Sequence, residues 1–238
     1  MIVDGIPREY WGHWADWQLD DPVTLSVSPE DDNLERYSGI SINAEDDNKD
    51  AWIQKLPSLR KAIHLVSWRG NNPQSFMDSV LQMHWLKRLC VGRLGAGDLS
   101  AFRDLKKLEY LCIHQLHGAK DLSPIGDLPS LEVLEIGFNH YVSDLDWLSG
   151  YGLTKLRSLI VYGNKSRFQV SDLRPLARLQ ALEYLSIPTL DADTSQIESL
   201  LGLRHLKFVN LRKKAWPDSV IGALEERGVH VQLGIKPP

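Results

Sequence analysis

Two cysteines and two histidines fall close together along the chain, as Cys90, Cys112, His114 and His117. Thiolate and imidazole are the donor set of zinc and other soft-to-borderline metals, and a thiol pair is the raw material of disulfide chemistry. The short-spaced ligand pairs that fold around zinc are missing, however. With only two cysteines in 238 residues there is no disulfide framework either. Thiols in a reducing compartment are expected to stay free, so no metal and no cofactor is assigned. Other candidates fail on composition. "GRLGAGDLS" at 92–100 spaces its glycines but lacks the Lys-Ser/Thr ending of a phosphate loop. "NKS" at 164–166 is a glycosylation acceptor only in a secreted chain, and "RKK" at 212–214 is expected to be a solvated edge rather than an anion site. No nucleophile elbow is present and no cleft of convergent titratable groups can be assembled, so the expectation is a protein that is not an enzyme.

The bulk properties narrow the classes further. Apolar residues make up 43% and charged residues 24% of the chain, ordinary for a globular protein with a sizeable core. The N-terminus has no basic leader with an apolar run, and no stretch approaches the ~20 apolar residues of a membrane span. The expected location is cytoplasmic, away from any membrane. A net charge of −4 argues against nucleic acid. The charge is uneven: residues 1–60 hold 13 acidic and 5 basic side chains, residues 61–238 hold 18 and 22. An acidic N-terminal region suits the steering of a basic partner.

The elements that must carry these residues emerge from a repeat. "LKRLCV" begins at Leu86, "LEYLCI" at Leu108, "LEVLEI" at Leu131, "LRSLIV" at Leu156, "LEYLSI" at Leu182 and "LKFVNL" at Leu206. Six copies of L-x-x-L-x-L at a period in the twenties mark a stacked repeat. Within a copy the L-x-L alternation predicts a short strand with its leucines on one side. The following "DLSPIGDL", "DLSAFRDL", "DLDWLSG" and "DLRPLARL" predict a helical turn begun by an aspartate, with proline tolerated in the first turn. Each unit turns a corner and cannot bury its leucines alone, so the units must stack. Asn139 and Asn164 fall at the ninth position of their copies, where a buried amide would satisfy backbone groups at the bend.

These motifs resemble the leucine-rich repeat superfamily, and "DLSPIGDLPSLEVLEI" is most similar to short bacterial and phosphatase-regulator-type repeats. The resemblance covers roughly residues 60–234. It implies an α/β solenoid with a curved parallel sheet on its concave face, short helices and 3-10 turns on its convex face, and a concave face that binds another macromolecule. Weaker copies extend the array. Ile40 and Ile42, then Ile63 and Leu65, take the strand positions near the start, and Val231 and Leu233 do so after a capping helix at 217–227. The expected organisation is an N-terminal cap at 1–38, a solenoid of about nine strands at 39–234 and a tail at 235–238. In the cap "VTLSV" could add a strand, and Tyr10, Trp11, Trp14 and Trp17 are expected to plug the open end of the core.

Third, fifth and seventh positions of each copy should face outward. They collect Tyr110, His114, Val133, Glu135, Ile160, Tyr162, Tyr184, Phe208, Asn210 and Arg212 on one surface, with Cys90 beside Cys112. An aromatic and aliphatic patch expected to see solvent suggests a protein partner. The functional expectation is a dedicated inhibitor, monomeric when free, such as an immunity protein that neutralises a bacterial toxin by occlusion. The alternative is a regulatory or targeting subunit of a phosphatase or ligase.

Overall fold

The structure, a computed structural model, describes residues 25–43, 48–138, 144–163, 168–170, 172–214 and 216–234. Repeating leucines dictate its plan. All eighteen apolar positions of the six clear copies are buried, Leu206 being the most exposed at 5%. They sit on one side of a parallel sheet made of β1 (Leu25–Val27), β2 (Gly39–Asn43), β3 (His64–Asn72), β4 (Arg88–Leu94), β5 (Tyr110–Leu116), β6 (Val133–Phe138), β7 (Ser158–Gly163), β9 (Tyr184–Ile187), β11 (Phe208–Leu211) and β12 (His230–Leu233). Strands follow one another in chain order, as a solenoid requires. Two short strands, β8 (Phe168–Val170) and β10 (Leu190–Ala192), pair in parallel as a separate ribbon that the repeat pattern did not announce. Nine of the ten main strands are the nine expected from the repeats; the tenth, β1, comes from "VTLSV" and pairs with β2 through Leu25 and Ile40.

Behind the sheet lie α1 (Lys49–Lys55), α2 (Gln74–Leu81), the single turn α3 (Ser123–Gly126), α4 (Asp218–Glu226) and a series of 3-10 turns. Helical turns are broader than the ~4.8 Å strand spacing, so the strand side takes the shorter, concave arc. Trp52, Phe76 and Phe102 fill the thicker back of the core. The aspartates act one residue earlier than a true N-cap. Asp121 Oδ1 accepts from Ser123 N at 2.9 Å, with Leu122 occupying the N-cap position itself. Asp98, Asp144 and Asp172 repeat the bond to Ser100, Asp146 and Arg174. Asp193 makes the same bond to Ser195 from the N-cap. At the far end α4 stops at Gly228, whose φ of 81° is the left-handed conformation that glycine adopts freely.

Two strand features depart from expectation. Leu65, not Ile63, pairs with Leu89, and Ser67 pairs with Val91. The copy is therefore Ala62-x-x-Leu65-x-Ser67, with Ile63 only half-buried. Its alanine and serine disguise the motif, and a bulge between Ser67 and Asn71 shifts the rest of the strand. That bulge carries the asparagine that period counting missed. Asn72 is fully buried, accepts from Ser67 Oγ at 2.8 Å and donates to Arg93 O at 2.8 Å in the next repeat. It pairs with Leu94, the ninth position of its copy. Asn139 and Asn164 lie outside the described residues, as do Tyr10, Trp11, Trp14 and Trp17. At the C-terminal edge Leu233 keeps its register but is 44% exposed, β12 being the edge strand among the described residues.

Candidate binding face

Strand pairing lines the outward residues into rows. One row runs His64, Arg88, Tyr110, Val133, Ser158, Tyr184, Phe208, His230, and the next runs Val66, Cys90, Cys112, Glu135, Ile160, Ser186, Asn210, Gln232. Seven of the ten candidate residues thus stand in these two rows, while His114 and Tyr162 lie two residues further along β5 and β7 and Arg212 follows the end of β11. They do not share one exposure. His114 is exposed and Tyr110, Tyr162, Tyr184 and Arg212 are half-buried. Val133, Glu135, Ile160, Phe208 and Asn210 are buried, so the expectation that Val133, Ile160 and Phe208 see solvent is corrected. The reason is packing across rows. Ile160 and Phe208 form a second apolar cluster, roofed in part by Tyr162 and Tyr184, and Phe208 stacks on His230 with ring centroids 5.6 Å apart.

Near the middle of the face is a hydrogen-bonded group that sequence spacing did not reveal. Tyr162 reaches His114 across the intervening strand because that strand places Gly137 between them. A side chain at Gly137 would run into the His114 carbonyl oxygen and the Tyr162 ring. The Tyr162 hydroxyl lies 2.8 Å from His114 Nδ1 and 3.3 Å from Glu135 Oε1. A phenol has one proton, so with both bonds made the chain runs from the His114 N–H to Tyr162 and from Tyr162 to the carboxylate. The rings of His114 and Tyr162 are 5.8 Å apart and tilted by 59°. A glycine at a seventh position flanked by a histidine and a tyrosine at the same position was the available signal.

Burial raises the Glu135 pKa, although hydrogen bonds from Tyr162 and Cys112 pull the other way. Burial also lifts the Tyr162 hydroxyl, as does the nearby Glu135 carboxylate. Cys90 and Cys112 pair in register and are both free thiols. Hydrogen bonding to Cys90, then burial, pushes the Cys112 thiol well above its ordinary pKa. A thiol held protonated is a poor nucleophile and a poor metal ligand. Among the described residues no cluster of three or more His, Cys, Asp or Glu has metal-binding geometry.

The remaining candidates serve the scaffold. Arg212 and Lys214 both bind Asp191, so two members of "RKK" are ion-paired rather than solvated. Those bonds hold Asp191 below its usual carboxylate range, the Arg212 hydrogen bond most strongly. In the glycine-rich loop Gln74 Oε1 accepts from the amides of Gly97 at 3.0 Å and Asp98 at 2.9 Å, the donors an anion would need. "NKS" lies outside the described residues. No helix among the described residues is long and apolar enough to cross a membrane.

No protein-family model matches the sequence, and no curated protein matches it either. Several solved structures are similar to the chain in part. Internalin C2 of Listeria monocytogenes is 20% identical, with 70% of each chain covered and a TM-score of 0.49. An internalin, inlF, of the same organism is 17% identical over 84% of this chain and 74% of its own, with a TM-score of 0.36. The ectodomain of the Arabidopsis thaliana receptor kinase GASSHO1/SCHENGEN3, solved in complex with CASPARIAN STRIP INTEGRITY FACTOR 2, is 14% identical with a TM-score of 0.49. This chain spans 28% of that ectodomain and 89% of itself is covered.

Proposed function

We propose that this leucine-rich-repeat solenoid is a protein-binding module that docks a partner on its concave face, centred on Tyr110, His114, Tyr162 and Tyr184. The observation that carries the reading is the Tyr162–His114–Glu135 chain over Gly137. It holds a large ring and an exposed imidazole in fixed positions on a rigid sheet before any partner arrives. A preorganised aromatic surface binds with little ordering cost. The pattern suits a dedicated inhibitor acting in the cytoplasm, such as an immunity protein that occludes a toxin's working surface.

The test is affinity capture from extracts of the source organism, comparing the native chain with Tyr162→Ala and His114→Ala. Loss of a hot-spot ring costs about 2 kcal/mol or more, roughly thirtyfold in affinity. A partner retained equally by all three proteins removes the face from consideration. An inhibitor silences its captured partner; a partner that stays active when bound points to a targeting subunit instead.

A further inference from the structure

The edge of the sheet where the chain enters its strands carries a row of charge outside the concave face. It is made of the two residues that precede the first apolar position of each copy, from Ala62 to Leu206. Those positions hold Arg60, Lys61, Lys106, Lys107, Lys155 and Arg204, with His84 and His205 and no carboxylate. All eight side chains are exposed. One step further in, each leucine from Leu86 onward is followed by a charged residue, and there the chain supplies its own partners. Lys87 binds Glu109 at 2.9 Å, and Glu183 binds Arg157 at 2.7 Å and Lys207 at 2.5 Å. Glu132, half-buried, is the remaining charge of that inner row. The outer row is left unpaired. Arg60 is held over the Trp85 ring, 4.2 Å from its centroid, and none of the six cations forms an ion pair among the described residues. The carboxylate next to the row in sequence is Asp104, exposed two residues before Lys106. On the opposite edge the balance changes: the aspartates of the helical turns, Asp98, Asp121, Asp144, Asp172 and Asp193, stand among Arg93, Lys120 and Lys213.

We propose that the basic row docks an acidic segment of a protein partner, laid across the strands along this edge. Charge complementarity selects the occupant. Like charges side by side repel, so the row is relieved by an anionic ligand and by nothing the described chain provides. Spacing selects its form. The cations recur on every second strand, β3, β5, β7 and β11, because β9 follows β7 directly in the sheet. Two strand steps are about 10 Å, and the row spans six steps, about 29 Å. Carboxylates three residues apart on an extended chain are also about 10 Å apart, so some ten residues cover the row. A net charge of −4 over the whole protein favours an acidic protein segment over nucleic acid, whose longer-range field the rest of the chain would oppose. For this edge the expectation of a basic partner is reversed. The row borders the Tyr110 and Tyr184 end of the concave face, so one partner can occupy both surfaces.

The test is fluorescence anisotropy with a labelled twelve-residue poly-glutamate peptide at low salt. Three proteins are compared: the native chain, the edge triple Lys106→Gln, Lys107→Gln, Lys155→Gln, and the control triple Arg93→Gln, Lys120→Gln, Lys213→Gln. The two triples change net charge equally, and all six positions are exposed, so both should fold. The edge triple is expected to bind the peptide about tenfold or more weaker, and the control triple within about twofold of native. Added salt should weaken native binding and shrink the difference. Equal weakening in both triples overturns the proposal, since net charge alone would then govern, and so does a native chain that does not bind the peptide. Tighter, edge-dependent binding of a single-stranded oligonucleotide or of phosphatidylserine vesicles also overturns it, by assigning the row to nucleic acid or to a membrane. No natural partner is used, so failure here leaves capture through Tyr162 and His114 untouched.

Discussion

Leu134→Ala is the most direct perturbation of the stacked core. Leu134 is fully buried on β6, and its register partners Leu111 and Leu159 are fully buried on either side. Truncation removes three carbons from a site walled by two hydrogen-bonded strands. Those strands cannot close in, because their spacing is fixed by the ladder itself. Leucine-to-alanine changes cost about 2–5 kcal/mol, and poor collapse places this one in the upper part, about 3–5 kcal/mol. A chain of this length melts with an entropy near 0.5 kcal/mol/K, so the midpoint should fall by about 6–10 °C. Calorimetry and urea titration both read the change, and the urea m-value should hold if the transition stays cooperative. Leu134→Asp adds an unpaired polar group and should leave little folded protein. A Leu134→Ala midpoint within about 2 °C of the native value, or a soluble Leu134→Asp protein melting normally, refutes the stacked-leucine core.

Three more outcomes are expected from the same geometry. The folded-state pKa of Glu135 lies above its unfolded value, so the native state binds the extra proton and stability falls as pH rises through that interval. Glu135→Gln should remove that decline, giving a flatter stability–pH curve above the ordinary carboxylate pKa, read by melts across pH; an unchanged slope would mean that Glu135 is solvated. Asn72→Ala should cost about 1–3 kcal/mol, because Arg93 O loses a buried donor and Ser67 Oγ a partner. Cys90 and Cys112 should resist thiol reagents until denaturant unfolds the chain, then titrate as two thiols, and non-reducing intact mass should show no bridge; rapid native labelling would contradict their burial.

The repeat is legible because an apolar side chain every second residue in a strand, then a helical turn, leaves a strict spacing wherever the core demands leucine. That spacing alone determined the six strands from Leu86 onward, the parallel order and the identity of the outward rows. It fails where the core accepts other residues: Ala62 and Ser67 replace leucines and a bulge displaces Asn72, so spacing places the β3 register two residues early. The face itself was decided by tertiary structure. Row membership is a one-dimensional property, but exposure depends on what stands in the neighbouring repeats and beyond them. Phe208 and Tyr162 occupy outward positions of equal standing in the sequence. One is enclosed between Ile160, Tyr184 and His230, while the other reaches His114 only because Gly137, a repeat away, leaves the space. No spacing rule encodes that gap, since it is a contact among three strands whose residues are separated by whole repeats.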